Sequence, residues 1–347
     1  MSKIYSYGRI LLSIMPATAC IILVAMACQT ATGEKKYLAD QVLGISFVAS
    51  RASVTAADIT PIKRINATWV SLMPYGFVRK TENIVHYNAQ GQWFGETVKG
   101  LIETAELCKK EGLKIMIKPQ IWLRHGEYTG AYLPPDSTMI DFKKSFENFV
   151  LDYARVAKKV DADLFCIGTE WQNFIDHDPE FWLQLIGKVK NIYSGPLTYA
   201  ANWDEYKTTP FWHNLDYIGV NAYFPLSDKE YPTMDDLQSG WAPWIKELSD
   251  VAESVAKPML FTEYGYRSTV SNASKPWESY TKPQVSMKNQ ELAYKAMYIQ
   301  LWQEPWFAGG FSWKWFHNHE GRGGAENTGF TPQNKPAEEV IRAYYGK

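Results

Sequence analysis

The stretch 164–170, Leu-Phe-Cys-Ile-Gly-Thr-Glu, is a continuous apolar run that ends in a carboxylate. Such a run is typical of a short strand that is buried on both faces, as the strands of a parallel sheet are. Seven more runs of this kind recur along the chain, at residues 43–48, 67–73, 113–119, 196–202, 217–223, 258–264 and 310–315. The sequence therefore predicts eight strands of a parallel sheet.

Helical patterns separate most of these runs. Asp178-Pro179 supplies a capping residue followed by a proline in the first turn, and the connections after the first and fifth runs leave room for short helices only. The long helical patterns cover residues 94–112, 142–160, 241–256 and 290–302. Strands that alternate with helices over about 300 residues predict an α/β fold, a (β/α)8 TIM barrel in a single domain.

An open, doubly wound sheet is the competing α/β architecture. A fold of that kind usually carries a glycine-rich phosphate-binding loop directly after an early strand. Here the first run leads into Ala49-Ser50-Arg51-Ala52, which contains no glycine. The barrel is therefore the favoured architecture.

The composition excludes some classes of function. The 347 residues include 36 Lys and Arg against 37 Asp and Glu, which gives a formal net charge of −1. This balance argues against a nucleic-acid-binding protein, which has a basic surplus or a basic face. The 14 Trp and 21 Tyr can be core residues, but they also suit a surface that stacks on weakly polar ligands such as sugars.

The first residues have the order of an export signal: a positive start, an apolar run at 10–26 and small residues before Cys28. Cys28 after Ala25-Met26-Ala27 favours a lipoprotein signal, in which this cysteine becomes the lipidated N-terminus. The predicted boundaries are 1–28 for the signal peptide, 29–37 for a polar tether and 38–347 for the barrel domain.

Two alternatives remain for this segment. Cleavage after Ala27 would release a freely secreted protein, and retention of the apolar run would leave a membrane anchor, because the run approaches the about 18–20 residues that a span needs. Pro16 disfavours the anchor. We expect an exported protein, on the cell surface or facing the periplasm, or otherwise secreted, which contacts a membrane through the lipid on Cys28 alone.

Two carboxylates end predicted strands. Glu170 ends the fourth and Glu263 the seventh, and these strands lie roughly across the mouth of a barrel, where functional groups collect. Strict alternation puts Glu170 on the face of Cys166 and Glu263 on the face of Phe261. Glu170 then points into the mouth if Phe165 faces the outer helices. We therefore expect both carboxylates to reach one ligand.

Paired carboxylates suit glycoside hydrolysis, in which one protonates the leaving oxygen and the other attacks or activates water. The alternative is that each is a plain ion-pair partner, with Lys118, Arg124 or Lys314 nearby. Two glutamates at matched strand ends favour catalysis over that alternative.

Three segments carry a family resemblance: 165–170 (Phe-Cys-Ile-Gly-Thr-Glu), 219–223 (Gly-Val-Asn-Ala-Tyr) and 261–265 (Phe-Thr-Glu-Tyr-Gly). They resemble glycoside hydrolase family 113, in the retaining barrel clan A, which is known for β-1,4-mannanases. The resemblance runs from about residue 44 to residue 315. It implies that Glu170 is the general acid/base and Glu263 the nucleophile. Many clan relatives carry Asn where this chain has Thr169, so the contact to the sugar 2-hydroxyl stays unassigned.

The function expected from the resemblance is retaining hydrolysis of β-1,4-mannosidic linkages in a mannan-type polysaccharide or oligosaccharide, without a cofactor. A β-glucanase, an exo-acting β-mannosidase or a transglycosylase would use the same barrel and the same two glutamates. A non-catalytic carbohydrate-binding protein of the cell surface is the remaining alternative, but it has no need for both carboxylates.

Substrate contacts are expected from side chains at the strand ends. Tyr223 is expected to hydrogen-bond Glu263. Stacking on sugar rings is predicted for Trp122, Trp203, Trp313 and Trp315, which could instead be loop cores. Hydrogen bonds to sugar hydroxyls are predicted for Lys118, Arg124, Asn202 and Asn221, which could instead brace loops.

A metal is not expected. His317 and His319 lie two residues apart in a glycine-rich loop, without a second ligand cluster nearby. Cys108 and Cys166 are too few and too isolated for a disulfide framework, so we expect two buried free thiols.

Overall fold

The strands β1 to β11 define the architecture of this computed structural model, which describes residues 41–79, 82–123, 127–278 and 284–347. In chain order the strands are Val42–Phe47, Trp69–Leu72, Tyr75–Val78, Val85–His86, Lys114–Ile117, Gln120–Leu123, Leu164–Thr169, Leu197–Asn202, Ile218–Asn221, Met259–Tyr264 and Phe307–Trp315. Eight of them close a barrel in the order β1-β2-β5-β7-β8-β9-β10-β11. Every neighbouring pair in the barrel is parallel. The predicted (β/α)8 barrel is confirmed, and each of its strands lies within or beside a predicted apolar run.

The helices α1 to α8 are Ala56–Arg64, Val98–Lys110, Asp136–Lys159, Gln172–His177, Pro179–Ile192, Met234–Val255, Met287–Leu301 and Pro336–Tyr345. Asp178 caps α5 as predicted, since its carboxylate accepts a 3.0 Å hydrogen bond from the Phe181 amide. The connection after β8 holds one short 3-10 helix, Trp212–Asn214, which agrees with the short helix expected there. The helices α3 and α6 begin nearly two turns before their predicted starts.

A three-stranded sheet that the sequence did not predict lies beside the barrel. It has the order β4-β3-β6. β3 follows β2 after Met73-Pro74, and β6 follows β5 after Lys118-Pro119. Proline interrupts the apolar run in both places, so the two continuing segments could not be recognised as strands of their own. This sheet carries Gln120 and Trp122 to the mouth of the barrel.

The inside and the outside of the barrel have separate cores. A small interior cluster contains Leu164, Cys166 and Leu260, together with a Trp69–Phe311 edge-to-face pair. The large outer cluster packs the helices onto the strands and absorbs much of the aromatic content; fully buried members include Trp171, Trp182 and Trp241.

The strands that end in Glu170 and Glu263 both depart from regular pairing. Between Cys166 and Thr169, β7 contains one residue more than β8 does, and β10 gains one residue on β9 between Phe261 and Glu263. Phe261 packs outward against Trp241, at a ring distance of 6.4 Å. The prediction that Glu263 shares the face of Phe261 is therefore wrong, because the irregularity in β10 turns Glu263 back into the mouth.

Some predictions fall on other parts of the chain. The export signal, Cys28 and the tether 29–37 lie outside the described residues. Within the described residues no helix is both long enough and apolar enough to span a membrane. Cys108 and Cys166 are buried free thiols, as predicted.

Candidate active site

A cleft of about 640 Å³ opens at the carboxyl ends of the barrel strands, with Glu170 and Glu263 among its lining residues. A second cavity of about 640 Å³ lies where β1, β2 and β5 begin. Among the described residues that line it there is no Asp or Glu, so it does not offer the pair of carboxyl side chains found in the first cleft. The remaining lining of the first cleft is mostly aromatic and amide side chains, including Tyr75, Gln120, Trp122, Tyr128, Asn202, Trp203, Asn221, Tyr223, Trp277, Trp313 and Phe330.

Glu263, at the end of β10, is 5% exposed and is held by three donors. Its Oε1 accepts hydrogen bonds from the buried ammonium of Lys118 and, at 2.8 Å, from Nε2 of Gln120. Its Oε2 accepts a 2.8 Å bond from the hydroxyl of Tyr223, which confirms the expected contact. A carboxylate that accepts three hydrogen bonds, one from a cation, is stabilised in its ionised form.

Glu170 lies in an environment that favours its protonated form. It follows β7 with a backbone φ of 56°, in the left-handed region, and its side chain is half-buried in the cleft. Burial, followed by the negative charge of Glu263, raises the pKa of Glu170 to about 7. The two carboxyl groups therefore have different environments, since Glu263 is bound to a cationic donor and Glu170 has a raised pKa.

Asn221, at the end of β9, links the two glutamates. Its Nδ2 donates a 2.8 Å hydrogen bond to Oε1 of Glu170. Its Oδ1 accepts from the hydroxyl of Thr262 at 2.9 Å and from the ammonium of Lys118 at 3.4 Å. The donors on Oδ1 fix the orientation of the amide, so that its nitrogen faces Glu170.

Residues 49–335 match the family model of Glycoside Hydrolase Family 113. The chain belongs to this family. The resemblance stated from three short segments is confirmed, and the protein is a glycoside hydrolase.

Solved structures agree with the assignment to family 113. The GH113 β-mannanase AaManA from Alicyclobacillus acidocaldarius, in complex with ManMIm, has a TM-score of 0.76 and 25% identity, over 88% of this chain and 97% of that one. A complex of a GH113 β-1,4-mannanase has a TM-score of 0.77 at 22% identity, over 89% and 99% of the two chains. Faecalibacterium prausnitzii β-glucuronidase shares the barrel only, with a TM-score of 0.60 and 15% identity over 88% of this chain and 49% of that one. No curated protein sequence matches the chain.

Of the tryptophans predicted to contact substrate, three line the cleft of this family 113 enzyme: Trp122, Trp203 and Trp313. Trp122 is 50% exposed. The prediction for Trp315 is wrong, because its side chain is fully buried. Its carbonyl accepts a 2.8 Å bond from the Val48 amide, and the ring of His319 lies 5.4 Å from its own.

The polar residues that were predicted to contact sugar hydroxyls also differ in where the structure places them. Asn202 lines the cleft and donates to Asp204 at 3.0 Å. Lys118 is fully buried beneath Glu263, so the prediction that it contacts sugar hydroxyls is wrong; its ammonium is used inside the protein. Asn221 is 1% exposed, and the bonds described above tie it to protein groups. Arg124 lies outside the described residues.

Several cleft residues escaped the sequence analysis. Gln120 sits one residue beyond a predicted strand, in a segment that had no strand pattern of its own. Three further cleft residues come from long loops: Tyr128, Trp277 and Phe330. The one sequence signal for such residues is an aromatic residue that stands alone in a polar stretch.

The two histidines considered for a metal are held by other groups or lack ligand partners. Nε2 of His319 lies 2.7 Å from Oε1 of Glu338. Over residues 41–79, 82–123, 127–278 and 284–347, no group of three His, Cys, Asp or Glu side chains is placed to hold a metal ion.

Proposed function

We propose that this family 113 hydrolase cleaves β-1,4-mannosidic linkages in mannan-type polysaccharide or oligosaccharide, with retention of configuration. The observation that carries the proposal is the pair Glu170 and Glu263 in one cleft, the first with a raised pKa and the second with a cationic donor. A nucleophile that stays ionised and an acid that stays protonated are the two groups that double displacement requires. The mannanase descriptions of two structures with the same fold support mannan as the substrate.

In the first step Glu263 attacks the anomeric carbon. Its Oε1 already accepts from Lys118 and Gln120, so we assign the attack to Oε2, which among the described residues accepts from Tyr223 alone. The bond from Oε2 to the anomeric carbon forms as the glycosidic bond breaks. Glu170 gives its proton to the departing glycosidic oxygen.

In the second step Glu170 acts as a base. Glycosylation removes the negative charge of Glu263, which is one of the causes that raise the pKa of Glu170. Glu170 therefore becomes a stable carboxylate at this stage and takes a proton from water. The water oxygen bonds to the anomeric carbon, and the bond to Glu263 breaks. The hydrogen bond from Asn221 stabilises the ionised form of Glu170 in this step.

The test of the chemistry is the variant Glu263→Ala. Loss of the only group that forms the covalent intermediate should lower kcat by about 10⁴-fold or more. Added azide or formate should restore part of the turnover and give a product of inverted configuration. The variant Glu111→Ala, which removes a surface carboxylate paired with Lys63, is the control for the loss of any acidic side chain. Turnover near the wild-type rate in Glu263→Ala would refute the assignment of the nucleophile.

The test of the substrate is a product profile on mannan, glucomannan and mixed-linkage β-glucan. We expect mannan and glucomannan to be cleaved, with oligosaccharide products that carry the β-configuration when they are first released. Cleavage of β-glucan alone would keep the mechanism and refute the substrate.

A further inference from the structure

Two tryptophans lie face to face in the cleft. The rings of Trp203 and Trp277 have centroids 5.1 Å apart and planes within 16° of parallel. Trp203 stands directly after β8, and Trp277 belongs to the loop that follows β10. Because Trp277 covers one face of Trp203, a sugar ring cannot stack on that face of Trp203.

The edge of the Trp203 ring also packs against the protein. Its edge packs against Phe224 at 6.2 Å and 71°, and against Trp244 at 5.7 Å and 84°. These contacts join Trp203 to the outer core, which holds Phe224 and packs against Trp244. Trp203 is therefore a rigid support, placed behind the ring of Trp277.

Trp277 keeps 41% of its surface exposed although it lines the cleft. An indole left open in a cleft with polar groups nearby is a surface on which an amphipathic ligand can stack. The loop that presents it is tied down before and after the ring. The Leu226 amide donates to the Ala273 carbonyl at 2.7 Å, and Arg267 donates to the Glu278 carbonyl at 3.4 Å.

We propose that Trp277 is a sugar-stacking platform of this cleft and that Trp203 is the positioning residue that supports it. The ligand is a pyranose ring of a β-linked hexose chain, whose C–H-rich face lies on the indole. This ring is not the one that reacts, because Glu263 is almost fully buried at the floor of the cleft, whereas Trp277 is on its exposed rim. Trp277 thereby makes the enzyme select longer chains. The proposal rests on hydrolysis of such a chain as the function.

The test compares Trp277→Ala with wild type on mannohexaose and on a short aryl β-mannoside. Stacking between two aromatic rings contributes a factor of about 2 to 13, and if a sugar ring on an indole contributes as much, kcat/KM on mannohexaose should fall by about this factor more than on the short substrate. The loss should appear mainly in KM. Trp277→Phe should restore part of it, and Trp203→Ala should reproduce it. Trp93→Ala is the matched control, because Trp93 is 39% exposed but does not line the cleft.

Three outcomes would overturn the platform. Equal losses on long and short substrates would mean a general structural effect, and no loss would mean that Trp277 does not touch the chain. Tighter binding in Trp277→Ala would mean that Trp277 is a cover over Trp203.

A binding experiment separates this proposal from the proposed function. Mannohexaose is titrated against Glu263→Ala, with and without Trp277→Ala, and tryptophan fluorescence is followed. If wild type cleaves no β-mannan, the proposed substrate fails, and the same titration with the polymer fragment that wild type does cleave tests Trp277. A fluorescence change that persists without Trp277, with unaltered affinity, refutes the platform.

Discussion

Asn221 donates a 2.8 Å hydrogen bond to Glu170, although its backbone partner in the sheet is Glu263. The side chain thus reaches from the strand beside Glu263 to Glu170. Its other end accepts from Lys118, which also donates to Glu263. A change in charge at one glutamate is therefore transmitted to the other through fixed hydrogen bonds as well as through space.

The pH dependence of hydrolysis should follow Glu170. Its raised pKa, about 7, means that the protonated acid persists to about neutrality, so the pH profile of kcat/KM should be a bell whose alkaline limb falls above that pH. Glu170→Gln should remove this alkaline limb for an aryl glycoside with a good leaving group, which needs no proton. The measurement is kcat/KM from pH 4 to pH 9, and an unchanged alkaline limb in Glu170→Gln would assign the acid to another residue.

Replacement of Asn221 should move the same limb in a defined direction. The hydrogen bond from Asn221 favours the ionised form of Glu170 and so lowers its pKa. In Asn221→Ala the pKa of Glu170 should rise, and the alkaline limb of kcat/KM should shift to higher pH while kcat falls. Asn202→Ala is the control, because the Asn202 amide donates to Asp204 and not to Glu170. A shift to lower pH would contradict the role given to Asn221.

Lys118 should matter for stability through its charge. Its ammonium and the carboxylate of Glu263 form an ion pair with side-chain exposures of 0% and 7%. Lys118→Met leaves a buried carboxylate without its cation, which should lower the free energy of unfolding at pH 7 by about 3–5 kcal/mol. The double variant Lys118→Met/Glu263→Gln should recover much of this loss. Lys63→Met, which breaks a surface pair with Glu111, should cost at most about 1 kcal/mol in the same denaturant titration. Additive losses in the double variant would exclude a charge effect.

The N-terminal segment offers a prediction about location that is independent of the chemistry. We propose that Cys28 is lipidated, that residues 1–27 are removed so that Cys28 becomes the N-terminus, and that 29–37 tether the barrel to a membrane. Cys28→Ser should move the protein to the soluble fraction with unaltered kcat, since the membrane affinity of acyl chains, about 0.8 kcal/mol per buried methylene, is lost. Mass spectrometry of the mature N-terminus decides the matter: an unmodified chain that starts at Cys28 means secretion, and a chain that starts at Met1 means a retained anchor.

The barrel could be predicted because its strands are buried on both faces, which leaves continuous apolar runs in the sequence. The two glutamates could be located for the same reason, since each ends such a run. What alternation could not supply is the orientation of Glu263. A single extra residue in β10 reverses which face a side chain occupies, and no residue type marks that position.

The parts of the site that were missed depend on contacts between distant segments. No sequence feature near Lys118 shows whether its side chain is a buried partner of Glu263 or a ligand of sugar hydroxyls. The folded barrel decides this, because it brings the ends of β5 and β10 close enough for Lys118 to bind Glu263. Trp315 and Trp277 also depend on such contacts: Trp315, which lies in a strand, is buried, and Trp277, which lies in a loop, is exposed. Burial of an aromatic side chain is decided by tertiary packing, which composition does not reveal.

The left-handed backbone at Glu170 makes the activity of the enzyme and its thermal stability favour different residues at this position. Glycine, and to a lesser degree asparagine, adopt this conformation more readily than glutamate, for which it costs roughly 1 kcal/mol. A library selected for survival at high temperature alone would therefore enrich those two residues at position 170 and lose turnover with them. Glycine or asparagine at this position should therefore raise the free energy of unfolding by up to roughly 1 kcal/mol while removing the carboxyl group proposed to act as acid and base.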